Sequence, residues 1–161
     1  MIQKTYPNLN PSAAIPIDRD QVLHLDPFFD RFRTHRSGHH GFLVPNLKYV
    51  FVRTTNGETL MHPTYRHPAL AEGRPVAYAG EAAFDNGRLI WWSNGSGNYR
   101  PDAEHAKQAG LPMEQFFSFS EVIKGEHQRP RMDDRSALVQ RRLAGAPIPH
   151  WPPAWRPMAQ R

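Results

Sequence analysis

The chain has 161 residues, 39% of them hydrophobic, with 16 prolines and no cysteine. That length suits one domain with a real core, and the missing cysteine excludes a disulfide framework, a thiolate metal site and a cysteine nucleophile. The net charge of +5 is uneven: residues 1–123 hold 12 Lys/Arg against 12 Asp/Glu, residues 124–161 hold 8 against 3, which argues against nucleic-acid binding by the folded part.

Residues 1–22 carry three prolines and little periodicity, and read as an extended arm. The opening MIQKTYPNLN lacks the apolar core of a signal peptide and no apolar run approaches a membrane span. The expectation is a soluble protein, cytoplasmic or exported without a cleavable signal. Asp26-Pro27 has the form of a helix start, an N-cap acceptor followed by proline, and Phe28, Phe29 and Phe32 fit one face of a short helix to about Arg33. His35, His39 and His40 follow among Arg31, Arg33 and Arg36. Without a neighbouring carboxylate to complete a ligand set, and with cations around them, no metal is expected there.

Residues 47–54 alternate as a strand, Thr55-Asn56-Gly57-Glu58 makes a turn and Thr59–His62 returns, giving one hairpin. Pro68 to Glu72 offers one or two helical turns ended by Gly73. The stretch from Pro75 to Pro101 is the most informative. Two runs rich in aromatic and β-branched residues flank Asp85-Asn86-Gly87, the strongest short-range hairpin signal. Trp91 and Trp92 fit a heavily packed strand with one ring on each face. Asn94-Gly95-Ser96-Gly97 then allows a sharp turn whose backbone N–H groups could hold an anion or polar ligand, with Tyr99 as lid and Arg100 as counter-charge. A plain surface turn explains the same residues.

Asp102 to Ala109 contains helix formers and stops at Gly110, and residues 111–119 add a short apolar helix or closing strand. From 124 onward the chain is basic and proline-rich: residues 133–143 fit a short helix, Pro149 to Pro152 a PxxP pattern, and Trp151 and Trp155 suit packing on the domain or on a protein partner. The whole is expected to be α+β: an antiparallel meander of two hairpins packed with short helices, spanning 23–123 between the arm and the tail.

Candidate chemistry is expected to converge on one sheet edge or face, from Arg53 on the first strand, His62 and His67 at and after the end of the second, Glu81 on the third and Tyr99 or Arg100 beyond the fourth. A Glu81 base, a His67 acid and Tyr99 form a possible catalytic set, with Arg53, Ser96, Gly97, Asn98 and Arg100 as ligand contacts, suited to transfer or cleavage at a phosphate or glycosidic centre. Each has a structural explanation too: Glu81 paired across the hairpin with Arg88, His62 and His67 bridging turns, Tyr99 in the core. Nucleotide-loop, hydrolase-elbow and zinc-protease signatures are absent. The series Val76-x-x-Ala79-Gly80-Glu81, Asn86-Gly87-x-Leu89-Ile90 and Ser93-Asn94-x-Ser96-Gly97-x-Tyr99-x-Pro101 resembles a small domain recurring in bacterial secreted effectors and toxin-like proteins, over about residues 47–119. Asn98 stands where that domain usually has histidine, and Pro68 where serine is usual. The resemblance implies an effector or toxin-like setting and no particular activity; in that setting a ligand-binding or catalytic pocket at the 94–101 loop and Glu81 is the first reading, with group transfer from a nucleotide such as NAD, or phosphodiester cleavage, as its chemistry. No cofactor follows from the residues themselves. The other readings are a non-catalytic domain that recruits a partner through its sheet and tail, and a structural module that self-associates through sheet edges.

Overall fold

The computed structural model describes residues 3–128. The tail features expected beyond them, at 133–143, Pro149 to Pro152, Trp151 and Trp155, lie outside the described residues.

Six strands form one antiparallel sheet: β1 Leu23–Phe28, β2 Arg31–Arg36, β3 Lys48–Thr54, β4 Thr59–His62, β5 Val76–Asp85 and β6 Arg88–Ser93, in the order β2-β1-β4-β3-β5-β6. The four strands of the expected hairpins are β3 to β6. The Asn-Gly turn between β5 and β6 has both residues at positive φ, 50° at Asn86 and 84° at Gly87, the backbone that twists with its flanking strands. Gly57 at φ 91° closes the β3–β4 loop.

The helix expected from Asp26 to Arg33 is instead the β1–β2 hairpin. Pro27 is tolerated in β1 because that strand pairs with β4 only at Leu23 and His24, so the missing N–H of Pro27 costs no bond on that side. Phe29 turns the hairpin at φ 56°. The added hairpin curls the sheet until β2 meets the far turn: Phe32 donates its N–H to Gly87 O at 2.8 Å and Arg31 reaches Asn86 O at 3.3 Å. Thr34 and Leu43 exchange both backbone bonds outside β2, and Trp92 bridges Phe116 in parallel outside β6.

Rings fill the main core. Trp92 meets Phe51, Tyr78 and Phe116 with ring centres 6.1, 6.1 and 4.6 Å away, and Phe84 meets Tyr49 and Phe32 at 5.8 and 5.7 Å. Trp91 faces the other way, into a second cluster with Ala83, Ile90, Phe117 and Val122. The short helix α1 His67–Leu70 is wholly buried. A 3-10 helix, Ala103–Ala109, is capped by Asp102 and ends on Gly110 in the left-handed region. Helix α2 spans Phe119–Gln128.

Residues 3–22, expected as an extended arm, instead contain two 3-10 turns, Pro11–Ala13 and Arg19–Gln21, and pack on the domain with Tyr6, Ala13 and Val22 buried. Tyr6 exchanges two backbone bonds with Val76, and Leu9 N donates to Asn98 O at 2.7 Å.

Candidate functional site

The loop 94–101 holds itself together. Asn94 donates from Nδ2 to Pro101 O and accepts Phe119 N–H on Oδ1, tying both loop ends and the start of α2. Ser96 is buried; its Oγ accepts Tyr99 N–H at 3.3 Å and its carbonyl accepts Arg100 N–H at 2.8 Å. Arg100, exposed and at φ 46°, donates from Nε to Gly97 O. Asn98 is half-buried, its carbonyl used by the arm. Gly97 is exposed, with open space where a Cβ would stand.

The three residues expected to be catalytic have separate partners. Tyr99 is buried and donates its hydroxyl to Arg74 O at 2.8 Å, and burial pushes its phenol up to about 12. His67, 7% exposed, holds Gly80 O at 2.7 Å through Nε2. Since a carbonyl only accepts, that nitrogen carries the proton, and burial lowers the imidazole to about 4. Glu81 lies opposite Ser93 on β6 and pairs with Lys48 at 3.5 Å, not with Arg88, which stands opposite Asp85. Arg53 is on β3, donating to Thr59 Oγ1 at 3.0 Å with its guanidinium stacked against Gly110. The structure thus brings His67 to the carbonyl just before Glu81, and spends the Tyr99 hydroxyl on the residue preceding Pro75.

Around His35 the fold supplies a carboxylate that sequence spacing hides: Nδ1 lies 2.6 Å from Asp26 Oδ2 across the β1–β2 hairpin. Among the described residues no group of three or more His, Asp or Glu is placed to hold a metal ion.

Two constellations escaped the sequence reading. Asp102 is a hub: its carboxylate accepts Lys4 Nζ at 2.7 Å, the Tyr6 hydroxyl at 2.9 Å, and His105 through N–H at 2.9 Å and Nδ1 at 2.6 Å, while Tyr78 donates to its carbonyl. Burial alone would raise this carboxyl, but the bonds from Lys4, His105 and Tyr6 outweigh it and hold the group well below the usual range. Burial and the same carboxylate push the Tyr6 phenol up.

The second is an aromatic edge at the β1–β2 tip. Phe29 is 92% exposed, Phe42 54% and Val44 56%, with Phe28 and Leu43 beside them. The Arg33 guanidinium lies between two rings, 4.2 Å from the Phe28 centre and 3.4 Å from that of Phe42, a cation–π sandwich. A groove of about 330 Å³ opens between Phe28, Phe32, Phe42, Val44 and the Asn86-Gly87 turn. Only the run of phenylalanines signalled this edge, and in a helical reading it faced inward.

Compared with known proteins, the chain matches no family model, no curated protein and no solved structure. No helix among the described residues is long and apolar enough to cross a membrane.

Proposed function

We propose that this is a protein-interaction domain of the bacterial-effector type, which grips an acidic, apolar segment of a partner protein at the aromatic edge of its first hairpin. One observation carries the reading: Phe29 holds a positive φ while 92% exposed. A left-handed backbone costs a bulky L-residue about 1–2 kcal/mol, and here no burial of the ring offsets it. Glycine or asparagine would relieve the turn, so the ring is kept for contacts outside the chain.

The surroundings fit that use. Exposed apolar side chains grouped on one edge mark an interaction surface, and residues 28–44 hold three arginines against one aspartate, which selects an acidic ligand. The basic tail acts in the same electrical sense. The resemblance of residues 47–119 to an effector domain supplies the setting. Group transfer from a nucleotide or phosphodiester cleavage at the 94–101 loop has less support, because the loop's polar groups bond one another and Tyr99 and His67 are spent on backbone carbonyls.

A displayed random-peptide library panned against the wild-type domain tests this. Acidic peptides with apolar anchors are expected to be enriched, and to lose at least about tenfold in affinity against Phe29→Ser/Phe42→Ser, the size of one lost anchor. Absence of enrichment, or peptides indifferent to both substitutions, overturns the proposal.

A further inference from the structure

Ser37, His24 and Glu58 come from three segments far apart in sequence. The Ser37 hydroxyl lies 2.7 Å from His24 Nε2, and the other ring nitrogen, Nδ1, lies 3.6 Å from Glu58 Oε2. The register explains their meeting. His24 pairs with His35 on one side and Leu60 on the other. Ser37 is two residues beyond His35 and Glu58 two before Leu60, so strand alternation turns both toward the face that carries His24.

We propose that these residues are the nucleophile, base and orienting acid of a serine acyl-ester hydrolase site, in the cleft between the open end of the first hairpin and α1. The order of atoms is the one the chemistry needs: hydroxyl to Nε2, Nδ1 to carboxylate. The His24 ring is held in plane by stacking on His35, centres 4.9 Å apart and planes 16° apart, with His35 fixed in turn by Asp26. Burial, then the neighbouring His35, lowers the His24 imidazole and keeps it neutral, as a base must be. Ser37 is exposed in the Arg36–His39 turn, reachable by substrate.

The cleft holds about 320 Å³, and buried Val22, Leu60, Leu70 and Val76 form an apolar wall for a short acyl chain. In the first step Ser37 Oγ bonds to the ester carbonyl carbon as its proton passes to His24 Nε2. The carbon–alkoxy bond breaks, and His24 returns the proton to the leaving alcohol. Water then attacks the acyl-serine, its proton passing through His24 to Ser37 Oγ, and the carboxylic acid departs. No cofactor enters the balance.

The full chain is assayed with p-nitrophenyl acetate and butyrate, and labelled with a fluorophosphonate followed by peptide mass mapping. The expected result is label on Ser37 and ester hydrolysis that falls at least about 100-fold in Ser37→Ala and in His24→Gln, the range of a lost nucleophile or base. Glu58→Gln is expected to lower kcat more than it changes KM. Ser37 is exposed, so Ser37→Ala keeps the wild-type melting curve. Wild-type hydrolysis no faster than that of Ser37→Ala, or label elsewhere, overturns the assignment.

Discussion

His67 binds Gly80 by a hydrogen bond of 2.7 Å from its ring to the carbonyl oxygen, and this bond fastens α1 to β5. β6 pairs with β5 only from Glu81 onward, opposite Ser93. The His67 ring takes up a strand carbonyl just beyond the last paired residues, from a helix only four residues long.

Burial of the His67 ring, which outweighs the opposite effect of its bond to Gly80, makes the domain acid-sensitive in a defined window. The His67 pKa is about 4 in the fold and ~6.5 in the unfolded chain. The unfolded state takes up the proton first on acidification. The stability is therefore complete above about 6.5 and is lost as the pH falls towards 4, on the order of 3 kcal/mol in all. Urea unfolding at several pH values should show this slope in the wild type and a shallower one in His67→Gln. Equal slopes would remove His67 as its source.

Gly80→Ala should be among the most damaging substitutions. Its Cβ would stand 1.7 Å from Ser93 O, a backbone atom that cannot swing aside, for a cost of about 3 kcal/mol. Gly97→Ala meets open space and should change stability by less than about 0.5 kcal/mol. Thermal unfolding of the two variants side by side checks the contrast.

Phe29→Asn should stabilise the fold by about 1 kcal/mol, because asparagine accepts the left-handed turn more readily, while weakening the enriched peptides. A melting curve and a peptide titration on one preparation measure both. Unchanged affinity would show that the exposed ring takes no part in binding.

Asp102 ties the arm to the body. Its carboxyl is depressed in the fold, so its contribution is present above the ordinary carboxylate pKa of ~3.9 and is lost as the pH drops below it. Asp102→Asn should free the arm at neutral pH at a cost on the order of 1 kcal/mol, since the carboxylate is partly solvated. Amide exchange at Tyr6 and Val76, whose backbones bond each other, should quicken in the variant before the rest of the sheet does.

Glu81→Gln removes one ion pair with Lys48 and should shift stability by less than about 1 kcal/mol. Peptide binding at the hairpin tip should be unaffected. A loss of binding in a folded variant would return Glu81 to the functional site.

The legible parts of this fold were those written in local turn chemistry. Asn86-Gly87, Asn56-Gly57, Gly73 and Gly110 each mark a turn or helix end where a positive φ is needed, and each was placed from sequence. The first hairpin was not, because Asp26-Pro27 mimics a helix start and the tip carries phenylalanine where a turn signal would have glycine. Glu81, His67 and Tyr99 stand out in the sequence as polar residues able to converge on one sheet edge or face, yet their partners, Lys48, Gly80 and Arg74, are set by register and loop packing that spacing does not encode. Ser37 and Glu58 were invisible for the same reason: they meet at His24 only once β1 lies between β2 and β4.

The bonds outside β2 and β6 decide how another molecule can be held. Thr34 already exchanges its backbone bonds with Leu43, and Trp92 O accepts Phe117 N–H at 2.9 Å. At these positions the flanks of the sheet are occupied by the chain's own segments, so an incoming strand finds no continuous ladder to extend. At Thr34 and Trp92 a neighbouring copy finds the backbone already taken, and recognition at the hairpin tip falls to rings and guanidinium groups, with selectivity written in side chains.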